Sequence, residues 1–162
     1  MGTTDDDDML ILDESEDALE TTPVKPWKVL VVDDEPDVRF VSRQGLKKTR
    51  FGDSDLTILE AASALEAKRA IEANPDVAVV LLDVVMENAT AGLDFARWLQ
   101  TRASSPRPKV VLRTGQPGMK SAHSAQQGLS LHAYLEKTDV TAERLRAAVI
   151  DALGAYARDA CA

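Results

Sequence analysis

From Trp27 onward, short apolar runs alternate with segments of helical period. Lys28–Val32 reads as a strand, and Pro36, suited to a first helical turn, opens a helix in which Val38, Val41, Gly45 and Leu46 fall near one face. Leu56–Ala61 is a second strand. Ser63 can cap a helix reaching about Ala73, with Leu65, Arg69 and Ile71 marking its turns, and Asn74-Pro75 ends it. Val77–Leu82 holds no polar residue, the pattern of a strand covered on both faces. A helix follows from about Leu93 to Thr101, carrying Phe95, Trp98 and Leu99. Pro106 and Pro108 break the chain before a fourth strand, Lys109–Leu112, and a short fifth covers His132–Leu135. The last helix runs from Thr141 to about Arg158, with Leu145, Val149, Ala152, Leu153 and Tyr156 at helical spacing.

Strands alternating with helices imply a parallel sheet with helices on both faces, an α/β doubly wound domain over residues 27–158. The fourth helix is the weak element. Residues 115–128 contain Gly115, Pro117, Gly118 and Gly128, which predicts a long loop with at most two helical turns near Ser121–Gln127. Residues 159–162 are a C-terminal end.

Charge changes this picture at one place. The net charge of −8 is concentrated in residues 1–26, which hold nine acids against the single base Lys25. The remainder balances at eighteen acids and eighteen bases. The first 26 residues therefore read as a flexible acidic arm, with Leu10, Ile11 and Leu12 as a segment that either stays disordered or docks on a neighbouring surface. A neutral body without a basic patch argues against nucleic-acid binding. No apolar stretch approaches the ~20 residues that cross a bilayer, and no basic-then-apolar leader opens the chain. One cysteine, Cys161, allows no internal disulfide. The expectation is a cytoplasmic domain with no membrane contact.

In doubly wound sheets, chemistry gathers at the carboxyl ends of the strands. Here those ends are Asp33-Asp34, Asp83, Arg113-Thr114 and the run Tyr134 to Lys137, while Glu60-Ala61 closes the second strand without distinction. Asp33 to Pro36 alone is equally a helix start, since acids favour a first turn. Three carboxylates from two strands repel unless a cation sits among them, and a few carboxylates completed by water suit Mg²⁺. Such an ion would orient Asp83 for in-line attack on phosphorus. Lys137 supplies positive charge for phosphoryl oxygens and the Thr114 hydroxyl a hydrogen bond.

Four runs carry a resemblance: VLVVDDEP at 29–36, LLDVVM at 81–86, VLRTG at 111–115 and YLEK at 134–137. In order and spacing they resemble the receiver domain of two-component response regulators, over about residues 27–157. The resemblance implies a flavodoxin-like sheet of five parallel strands in order 2-1-3-4-5. It implies Asp83 as phosphoacceptor, Asp34 as the direct Mg²⁺ ligand with Asp33 supporting, and the Val85 backbone carbonyl as a third ligand. Thr114, Tyr134 and Lys137 become the switch threonine, switch aromatic and phosphate-sensing lysine; Tyr134 reads equally as a fixed packing ring. The implied partners are a sensor histidine kinase or phosphotransfer protein, with a downstream output domain or a self-dimer also open. The RTGQPG run at 113–118, with Trp27 before the first strand, resembles a subgroup in which the receiver precedes a domain of unknown function and a cyclic-di-GMP or HD-type output.

The chain departs from the family at three points: Glu87 follows Met86 where proline is usual, Gly92 arrives one residue late, and Thr138 follows Lys137 instead of proline. These touch loop geometry. Two rival functions fit these residues less well. A degenerate receiver serving only for docking would not keep the acidic pair, acceptor, threonine and lysine together. An aspartate-nucleophile phosphohydrolase needs a second Asp two residues after the nucleophile, where Val85 stands. The domain is expected to be regulatory, not an enzyme.

Overall fold

The computed structural model describes residues 26–83, 91–102, 106–114, 131–136 and 141–161. The acidic arm and the weak fourth helix lie outside the described residues. Six strands and four helices follow in order: β1 (Trp27–Val32), α1 (Pro36–Leu46), β2 (Arg50–Phe51), β3 (Ser54–Ala61), α2 (Ala64–Ala73), β4 (Val77–Asp83), α3 (Ala91–Thr101), β5 (Lys109–Thr114), β6 (Ala133–Glu136) and α4 (Ala142–Cys161).

They form one sheet in the order β2-β3-β1-β4-β5-β6. The five longer strands run parallel, and β2 pairs antiparallel with β3. The expectation of five strands is thus corrected to six among the described residues. The added strand is two residues long, too short to show a period, and Gly52-Asp53 turns it into β3 with Gly52 at φ 62°. That dipeptide was the available signal.

The core has two layers. One, under α2 and α3, is built on Leu30, Val32, Val80, Leu82, Phe95 and Leu112. The other, under α1 and α4, uses Val29, Val31, Leu81, Val111, Val149 and Leu153. Every residue of β4 is buried, as an all-apolar run in a sheet covered on both sides must be. Trp27 closes the amino-terminal edge by edge-to-face contacts with Phe51 at 5.4 Å and Tyr156 at 6.1 Å. Burial pushes the Tyr156 hydroxyl above its ordinary pKa, with a smaller push from Asp76.

The helices correct two side-chain placements. Val41 is 67% exposed, whereas Ser42 and Leu46 are buried on α1. One turn of 3.6 residues puts Ser42 inward and leaves Val41 at the stripe's edge, beside the exposed Phe40. On α2, Leu65 is exposed and Ala67 and Ile71 are buried. The five apolar positions read on the last helix are all buried.

α2 begins with a reciprocal cap: the Ser63 hydroxyl accepts from the Glu66 N–H at 3.1 Å, and Glu66 Oε1 accepts from the Ala62 N–H at 2.9 Å. Ser63→Ala is expected to destabilise the domain by about 1 kcal/mol, read by urea denaturation, without altering the strand-end chemistry.

Candidate acidic site at the carboxyl ends of the strands

β1 and β4 are neighbours in parallel register, so the residues that follow or end them arrive side by side. Side chains alternate along a strand, which sends Val31 and Asp33, Leu81 and Asp83, and Val111 and Arg113 towards the α1/α4 layer. The result is a cluster in which carboxylate oxygens of Asp33, Asp34 and Asp83 lie within 4.8 Å of one another. Asp33 and Asp83 are buried, and Asp34 is exposed.

Each acid has a different setting. One Asp33 oxygen accepts from the Glu35 N–H at 2.9 Å, which shapes the turn into α1 where the N-cap residue Glu35 offers no side-chain cap. The Asp33 carbonyl accepts from Arg39 Nη1 at 2.6 Å. Arg39 and Arg43 both reach Glu60 on β3, at 3.3 and 2.8 Å, so α1 is tied across β1 to the next strand. Glu60, undistinguished in the sequence, thereby orients the helix that follows the acidic pair. Asp34 is left facing solvent, where an ion can reach it.

The sequence did not assign a role to Arg113. It is 4% exposed and its backbone lies opposite Asp83 in the β4–β5 register. Nη1 donates to Ser42 Oγ at 2.6 Å, and Ser42 in turn donates to the Val38 carbonyl at 2.8 Å. Nη2 stands 3.6 Å from the second Asp33 oxygen. Burial pulls the Arg113 pKa below its ordinary value, and the charges of Asp33 and Asp83 push it back.

Of the other predicted residues, Thr114 ends β5 with its backbone opposite Glu136, and Tyr134 lies half-buried on β6. The Tyr134 ring packs on the α2/α3 layer, the face of the sheet opposite the acids. Val85 and Lys137 lie outside the described residues. The structure therefore brings Asp33, Asp34 and Asp83 together, adds Arg113, and sets Tyr134 apart. His132 reaches Asp151 on α4 at 2.6 Å, a structural tie away from the site.

Residues 29–150 match the response regulator receiver domain family. The chain belongs to that family. Receivers are regulatory domains of two-component systems, and this one serves phosphorelay signalling. It is 35% identical over 137 residues to the 3'3'-cGAMP-specific phosphodiesterase 2 of Vibrio cholerae, a match covering 85% of this chain but 26% of that protein. The receiver thus spans about a quarter of that relative. Its fold resembles the response regulator receiver domain protein from Clostridium thermocellum at TM-score 0.64 and 27% identity, covering 80% of this chain and 95% of that one. It also resembles a two-component response regulator/GGDEF domain protein at TM-score 0.67 and 27% identity, covering 80% of this chain and 50% of that one. Among the described residues no helix is long and apolar enough to cross a membrane.

The donor set fits a hard divalent ion. All three acids offer oxygen, two are already desolvated, and the third is open to solvent, which leaves room for the waters Mg²⁺ retains. An ion that binds only the folded receiver stabilises it by about 2.7 kcal/mol at 100 times its Kd. Thermal unfolding with and without Mg²⁺ should show that rise in the wild type, and Asp34→Ala should lose most of it.

Proposed function

We propose that the receiver takes a phosphoryl group on Asp83 from a sensor histidine kinase or phosphotransfer protein, with Mg²⁺ at the acidic cluster. The observation that carries this reading is the buried Asp83 carboxylate within 4.8 Å of those of Asp33 and Asp34, at the strand ends of a receiver. An Asp83 oxygen attacks phosphorus in line, the bond from phosphorus to the donor imidazole nitrogen breaks, and the nitrogen leaves with the electron pair. Asp34, Asp83 and the Val85 carbonyl hold the ion and Asp33 supports them. The ion supplies charge neutralisation for the phosphoryl oxygens. Lys137 and the Thr114 hydroxyl take those oxygens, and Thr114, Tyr134 and Lys137 carry the change to the surface by shifting an existing equilibrium.

The finer assignment follows the same line. The RTGQPG run resembles that of the subgroup in which the receiver precedes a domain of unknown function and a cyclic-di-GMP or HD-type output. The phosphodiesterase and GGDEF proteins that resemble it support an output acting on cyclic nucleotides. Residues 1–26 act as an acidic arm and 27–158 as the receiver, whose last helix continues past residue 158 to Cys161, in the cytoplasm, with a linked output domain or a self-dimer as the reader of the signal.

Incubation with acetyl phosphate and Mg²⁺ should add one phosphate by intact mass, and Asp83→Asn should add none. Equal labelling of Asp83→Asn overturns the assignment. The lifetime of the acyl phosphate gives a second test. Val85 cannot bond a water in line with the phosphorus, and Gln116 carries no base, so decay after donor removal is slow and Val85→Asn accelerates it.

A further inference from the structure

Among the described residues Arg113 is the one buried basic side chain, and its surroundings do not suit a merely structural cation. A buried arginine is ordinarily held by bidentate bonds, because taking a guanidinium out of water is costly unless its donors are satisfied. Here one nitrogen is satisfied, by Ser42. Nε and Nη2 have no hydrogen-bond partner among the described residues, and Nη2 faces Asp33 Oδ2 at 3.6 Å, beyond a hydrogen bond but within ion-pair range. The group is thus anchored to α1 at one end and directed at the acids at the other, where charge and not hydrogen bonding is the interaction.

The sheet explains why charge is wanted there. Val31/Asp33, Leu81/Asp83 and Val111/Arg113 follow the same pleat on three adjacent strands, so one layer of aliphatic residues is followed by one layer of charges. Asp33 and Asp83 lie in that second layer, removed from water, and the carboxylate of the exposed Asp34 comes within 4.8 Å of both. Arg113 offsets part of the negative charge of the three acids and leaves the rest for a divalent ion to offset.

We propose that Arg113 is a positioning residue that serves as a resident counter-cation, holding the acidic cluster together without metal and setting its Mg²⁺ affinity by competing with the ion. The inference rests on the metal reading of the cluster. In the metal-free receiver the guanidinium screens Asp33 from Asp83. When the divalent ion enters, Arg113 becomes a like charge behind the ligands and weakens its binding. Because Nη1 is bonded to Ser42, the same contest is transmitted to α1.

The experiment measures Mg²⁺ affinity by isothermal titration calorimetry, and metal-free thermal unfolding, for wild type, Arg113→Met and Arg113→Lys. Methionine keeps the stem and removes the charge, while lysine keeps the charge and loses the planar fork. Arg113→Met should bind Mg²⁺ on the order of ten- to a hundredfold more tightly, the scale on which one neighbouring charge biases a carboxylate. It should also melt lower than wild type without metal. Arg113→Lys should bind within about threefold of wild type. A structural role would lower the stability of both variants and leave affinity unmoved, so unchanged or weaker binding in Arg113→Met overturns the inference. Absence of Mg²⁺ binding in the wild type overturns the metal reading instead, and the inference with it. Should Arg113→Met fail to fold, the pair Asp33→Asn/Arg113→Met, which removes both charges, is expected to restore folding. A pair that stays unfolded counts against the charge pairing.

Discussion

The organising constraint in this receiver is the repulsion among carboxylates that the sheet itself forces together. β1 and β4 are adjacent and parallel, so residues at their carboxyl ends have no freedom to move apart. Asp33 and Asp83 are buried there, where water no longer screens them. Three described features of this end of the molecule answer that condition. The Glu35 N–H occupies one oxygen of Asp33, Arg113 stands beside the other, and Asp34 is turned outward.

The second condition is that α1 must start in a fixed direction, because the chain passes from the acids straight into it. Pro36 and the bond from Glu35 to Asp33 begin the helix. Arg39 and Arg43 then tether it to Glu60, and Ser42 ties its buried side to β5 through Arg113. A surface ion pair alone contributes little, but a shared carboxylate between two arginines on one helix restrains rotation about its axis. The acidic pair and the helix are in this way tied to one another and to β3.

Much of this was legible in the sequence. All-apolar Val77–Leu82 announced the central strand, and the spacing from Leu145 to Tyr156 announced the covering helix, because burial leaves a period. The three acids were legible because strand ends converge in parallel sheets. What escaped notice had no period or no single reading. The two-residue strand at Arg50 cannot show alternation, and Val41 differs from Ser42 by a rotation that only the neighbouring α4 decides. Arg113 appeared as one more charge before Thr114. Its meaning depends on which face of β5 it occupies, and on Ser42, 71 residues away in sequence.

The complete burial of β4 carries a consequence for motion. The strand that ends in Asp83 sits between β1 and β5, and all seven of its residues are buried. Amide hydrogens in such a strand are expected to exchange only through openings close to global unfolding, so Asp83 stands at the end of a strongly protected element. The floor of the site is then a fixed anvil. Motion at this end of the sheet is left to groups outside the strand, because the strand beneath yields only together with the core it is packed in.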